Sequence, residues 1–118
     1  MKPIHEERRQ HKRYKIENSV SISSEGFYQI NDISKGGYSF RCHPYAPVPD
    51  FWETDILSSF EPLEGFPVKR AWFSLTENGD HEFSPMVVGV KFRKLTKKQD
   101  AHLSQLIQNI SHSSELKQ

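Results

Sequence analysis

At 118 residues the chain suits one domain, long enough to bury roughly two-thirds of its unfolded surface. Hydrophobic residues make up 35%, and no apolar run approaches the ~20 residues of a membrane span, which argues against a helical membrane protein. The N-terminus lacks the apolar core of a signal peptide, and one cysteine, Cys42, cannot form an internal disulfide, so a soluble, cytoplasmic protein is expected.

The net charge of +1 hides an asymmetry. Residues 1–15 hold Lys2, Arg8, Arg9, Lys12, Arg13 and Lys15 against Glu6 and Glu7, an excess of +4 that leaves −3 for the rest. A basic arm on a mildly acidic body suits an anionic partner met by the arm. Residues 1–13 are read as that arm. Its like charges repel and it has no apolar face to bury, so it is expected to be flexible when free.

After the arm the pattern has a period of two. Tyr14, Ile16, Val20 and Ile22 alternate with polar residues as in a half-buried strand, bent near Asn18. Ser24-Glu25-Gly26 signals a turn. The next strand places Phe27, Gln29, Asn31 and Ile33 on one face and Tyr28, Ile30 and Asp32 on the other. Gly36-Gly37 breaks it, and Tyr38–Cys42 resumes a strand.

Residues 43–53 contain Pro44, Pro47 and Pro49 and are not expected to form a central strand, because proline has no ladder donor. They are candidates for a partner surface or a packing lid, through Tyr45 and Trp52. Thr54–Phe60 reads as a weak strand and Glu61–Pro67 as a loop. Val68–Leu75 reads as a strong strand. Asn78-Gly79 is a hairpin turn pair, and Met86–Phe92 is the last strand.

The period then changes. Leu103, Leu106, Ile107 and Ile110 share one helical face, and Thr96 with Gln99 forms a capping-box pattern. Residues 14–111 are read as a barrel with a closing C-terminal helix, and 112–118 as a frayed tail. The fold class is all-β: a six-stranded antiparallel barrel that leaves no exposed edges, with a two-sheet sandwich as the alternative.

Two short motifs carry chemistry. Arg9 and Arg13 give R-x-x-x-R, with Arg8 adding a third guanidinium. Asp32, Ser34 and Gly37 give D-x-S-x-x-G at a strand end. Guanidinium forks bind phosphate oxygens and the O6/N7 edge of guanine. A carboxylate accepts from the N1–H and N2–H₂ edge of guanine, a serine hydroxyl donates or accepts, and glycine gives clearance. Together they suit a ligand carrying both phosphate and guanine. As a structural matter alone, Asp32 and Ser34 could equally cap a turn, Trp72 could pack on the core or rim, and Gly89 could mark a barrel bend.

With these motifs in this order, the chain resembles the PilZ domain family, receptors for the bacterial second messenger cyclic di-GMP. The resemblance spans Glu7 to Ile110 and includes the strands "VKRAWF" and "VVGVKF" and the final helix. It implies a Greek-key type PilZ-like barrel with the nucleotide on its outer face and the arm wrapped over it. Arg9 and Arg13 would hold phosphates and guanine faces, Asp32 and Ser34 would read guanine edges, and Gly37 would give clearance. Arg8 would assist and favour a stacked pair of ligands over one, with Trp72 and Gly89 possible neighbours.

The implied role is a noncatalytic receptor, with no cofactor beyond cyclic di-GMP as ligand. It would signal through an unidentified partner protein in motility or biofilm regulation, without membrane insertion. The rival readings are a single-stranded nucleic-acid-binding barrel, disfavoured by the acidic body, and a scaffold that has stopped binding nucleotide. The six histidines contain no H-x-x-H or H-x-x-x-H pair, so no metal site is expected, and no base neighbours Cys42 in sequence to activate it.

Overall fold

The computed structural model describes residues 11–43, 46–75 and 86–116. Among the described residues, seven strands and one helix follow in order: β1 Tyr14–Lys15, β2 Val20–Ser23, β3 Gly26–Ile33, β4 Gly37–Cys42, β5 Phe51–Leu57, β6 Leu63–Leu75, β7 Met86–Phe92 and α1 Lys97–Leu116. All pairings are antiparallel. Around the barrel the order is β2-β3-β4-β7-β6-β5, and β5 closes back onto β2. This is the six-stranded barrel expected, not the sandwich, with β1 as an added short strand on β3.

The β1–β2 strand breaks where anticipated. Asn18 has φ of 53°, a left-handed conformation that asparagine tolerates better than most residues. The bend redirects the chain. Ser19 and Ser21 become buried while Ile22 turns outward, so the apolar alternation of this strand does not mark the core face beyond the bend.

β4 and β5 lie across the ring from each other, and residues 46–50 lie on the crossing between them. Ala46 and Val48 pack on the core from this crossing. Arg70 pins it through its backbone N–H to Asp50 O and an ion pair to Asp50 Oδ1 at 2.8 Å. The segment is a central strand sooner than its prolines suggest: Phe51, Trp52 and Glu53 already pair with Lys69, Val68 and Pro67. Trp52 is half-buried against the core.

The expected loop at Glu61–Pro67 is also largely strand. Pro67 sits where β7 runs out, and its carbonyl accepts the Arg93 N–H at 2.8 Å. A bulge on β6, where Glu64 and Gly65 together oppose Asp55, lets the Asp55 carboxylate accept the Gly65 N–H at 2.8 Å, and Gly65 has φ of 64°.

The core is built from alternate residues of the strands. Ile30, Ile33, Phe40, Ile56, Leu63, Phe66, Val68 and Val88 are almost fully buried. Aromatic rings link its layers: Tyr28 stacks on Phe40 at 4.6 Å, and Phe92 bridges Tyr38 at 6.0 Å and Phe66 at 5.7 Å. Burial pushes the Tyr38 hydroxyl and the Cys42 thiol above their ordinary pKa values, which keeps Cys42 a thiol and a poor nucleophile.

The helix starts at the expected capping box. Thr96 N–H donates to Gln99 Oε1 and Gln99 N–H to Thr96 Oγ1, both at 3.0 Å. Its buried face is Leu103, Leu106 and Ile110, each contributing about 1.5–3 kcal/mol by leaving water. The helix continues to Leu116. No helix among the described residues is long and apolar enough to cross a membrane.

Candidate functional site

Strict alternation would send Asp32 inward with Ile30. A bulge prevents this. Ile30 pairs with Phe40 but Asp32 pairs with Ser39, so Asn31 is an extra residue on β3. Ile30 and Ile33 can then both face the core, at 1% and 0% exposure, while Asp32 turns to the outer surface. The sequence assignment of Asp32 to the face of Tyr28 and Ile30 is corrected by this one residue.

A second bulge does the same for Trp72. Arg70 pairs with Val90 but Trp72 pairs with Gly89, leaving Ala71 as the extra residue. The pairings then align one row across the outer surface: Lys15, Asp32, Ser39, Gly89 and Trp72. The indole lies over Gly89, where a Cβ would sit 2.1 Å from the ring. Trp72 therefore packs on the surface row and stays 40% exposed.

The last arm residues converge on this row. Arg13 Nη1 lies 3.5 Å from Asp32 Oδ1, a long ion pair between partly exposed groups. Ser39 Oγ donates to the same oxygen at 2.8 Å. The His11 ring lies against Gly36, with its Cδ2 3.2 Å from where a Cβ would stand. Lys12 Nζ sits 5.3 Å from the centroid of Tyr14. Arg8 and Arg9 lie outside the described residues.

The turn between β3 and β4 is held by its own serine. Ser34 N–H donates to Gly37 O at 2.8 Å, and Ser34 Oγ accepts from Gly36 N–H at 3.1 Å. Ser34 is 8% exposed, and its hydroxyl also reaches Gly37 O at 3.4 Å. The absence of a side chain at Gly37 has a local cause: a Cβ would sit 1.8 Å from Val90 O on β7. Lys35 fastens the turn to α1, donating to Asp100 Oδ1 at 2.8 Å and to Ser104 Oγ.

Cations frame the row. Gly37 pairs with Lys91, and Lys91 with Lys69, so two lysines stand directly opposite each other on the row nearest the turn. Like charges so placed repel, and an anion between them would relieve the repulsion. On the other side Arg41 pairs with Val87. Ser39, Lys69, Lys91 and Arg41 were missed from the sequence. Their shared face depends on register, which neither motif states. Among the described residues, no cluster of three or more His, Cys, Asp or Glu could hold a metal ion.

The arrangement offers a carboxylate accepting from two sides, a guanidinium beside it, an exposed indole and surrounding positive charge. It suits a flat, hydrogen-bonding, anionic ligand on an open surface.

No protein-family model matches the chain, and no curated protein matches it in sequence. Solved structures do. The PilZ domain with c-di-GMP of YcgR from Escherichia coli has a TM-score of 0.71 at 12% identity, covering 93% of this chain and 96% of that one. The K. pneumonia MrkH–c-di-GMP complex has a TM-score of 0.76 at 10% identity, covering 93% and 55%. YcgR in complex with c-di-GMP from Escherichia coli has a TM-score of 0.71 at 12% identity, covering 93% and 49%. The chain thus spans nearly all of the isolated YcgR domain and about half of the longer MrkH and YcgR chains. Barrel order, closing helix and these likenesses together give the chain the fold of a PilZ domain.

Proposed function

We propose that the chain is a noncatalytic receptor that binds cyclic di-GMP on the outer face of its barrel. The observation that carries this reading is the meeting of Arg13 with Asp32, in a cross-strand row that also holds Ser39 and Trp72. The fold likeness to proteins solved with c-di-GMP supports the same ligand.

In this reading Arg13, with Arg8 and Arg9, grips phosphates and stacks on guanine. Asp32 exchanges its long contact with Arg13 for the N1–H and N2–H₂ donors of guanine, while Ser39 continues to orient it. Trp72 walls the site. Ser34 and Gly37 act mainly through shape: one holds the turn, and the other lets β4 meet β7 closely. Gly89 gives the indole its seat. The arm orders when ligand binds, and the resulting surface is read by a partner protein.

Calorimetric titration with cyclic di-GMP, and with cyclic di-AMP as competitor, tests the proposal and reports ligand number, one or a stacked pair. Asp32→Asn is expected to weaken guanine selectivity more than phosphate attraction. Absence of heat with cyclic di-GMP at micromolar protein and ligand would reject the receptor reading.

A further inference from the structure

We infer that Arg41 is a further phosphate-binding residue of this face, outside both sequence motifs, and that the ligand extends across β4 to reach it. The inference rests on the receptor reading above.

Arg41 is half-buried, and its Nη1 is shielded from solvent without a hydrogen-bond partner. The other such atom among the described residues, Tyr38 Oη, lies inside the barrel near the hydroxyls of Ser21 and Thr54. Arg41 instead stands between the core residues Phe40 and Cys42 on β4. It stands two residues after Ser39 on β4, so both share the outer face, about 7 Å apart along the strand. Its pairing partner Val87 is neutral, and Val87 pairs in turn with Ser74.

A buried guanidinium N–H without an acceptor is unfavourable, and a charged one more so than a neutral one. Folded proteins seldom leave such a group without strain, a function, an ordered water or a bound ion to account for it. Asp32, the carboxylate of this face, is already engaged by Ser39 and Arg13. The missing partner therefore has to be an acceptor, and an anionic one best balances a full positive charge. A cyclic dinucleotide has two phosphodiesters on opposite sides of its ring. With one held by the arm near Asp32, the second would lie farther along the face, on the Arg41 side.

Three proteins decide it: the native chain, Arg41→Gln and Arg41→Lys, each titrated with cyclic di-GMP at two salt concentrations. Arg41→Gln is expected to lose about tenfold or more in affinity and to show a shallower salt dependence. Arg41→Lys should recover part of the affinity. Because the arginine is unsatisfied without ligand, unliganded Arg41→Gln should melt no lower than the native chain. Native binding with unchanged affinity and salt dependence in Arg41→Gln overturns the assignment of Arg41 alone. A lowered melting temperature with unchanged affinity does the same, by making Arg41 a structural residue. No binding by the native chain rejects the receptor reading itself, and the two failures are distinct.

Discussion

The inner and outer faces of β3, β4 and β7 are made by the same residues in alternation, yet they obey different rules. The inner row of Ile30, Phe40 and Val88 is set by burial, with each side chain at 0–1% exposure. The neighbouring outer row of Asp32, Ser39 and Gly89 is set by register, through the extra residue Asn31. Hydrophobic burial fixes which residues must go in. The bulges then decide which polar residues are left standing side by side. Stability belongs mostly to the first face and recognition to the second.

That division can be broken by substitution, and the largest effect should come from the inner face. Phe40→Ala removes a fully buried ring stacked on Tyr28, and should cost about 3–5 kcal/mol in denaturant unfolding. Gly37→Ala comes next. It puts a Cβ into the Val90 carbonyl, a backbone atom that cannot swing aside, and should cost about 1–3 kcal/mol. A Gly37→Ala protein as stable as the native chain would contradict the close β4–β7 approach.

Outer-face changes should leave stability nearly intact and fall on ligand affinity. Arg13→Ala should weaken cyclic di-GMP binding by about 1.5–3 kcal/mol, while costing at most about 1 kcal/mol of folding stability, because its ion pair is long and partly exposed. Trp72→Ala should lose about 1–3 kcal/mol of binding if a base stacks there. Lys35→Ala sharpens the comparison at its small end. Its bridge to Asp100 is exposed, so unfolding should shift by less than about 1 kcal/mol.

Much of the fold was legible because periodicity reports burial directly. The strand at Tyr38–Cys42, the helical face of Leu103, Leu106 and Ile110, and the Thr96–Gln99 box all follow from local patterns. The motif order also pointed to Arg13 and Asp32 as neighbours, and they are. Register was not legible. Asn31 and Ala71 carry no side-chain signature of a bulge, yet each shifts a strand by one residue. The same gap hid Ser39 and Arg41, ordinary strand residues until β3 and β7 are laid beside them. Pro49 and Pro67 misled for another reason. A proline forbids only its own N–H bond, and β5 begins just after one while β6 accommodates the other where β7 has ended.

The seat of Trp72 has a practical corollary. The chain has two tryptophans, Trp52 half-buried by the core and Trp72 over Gly89 at the candidate site. Replacing Trp52 with phenylalanine would leave one fluorophore, fixed at its base by a glycine and open on its far side. Its emission would then respond to whatever occupies that side, making the barrel its own label-free optical sensor.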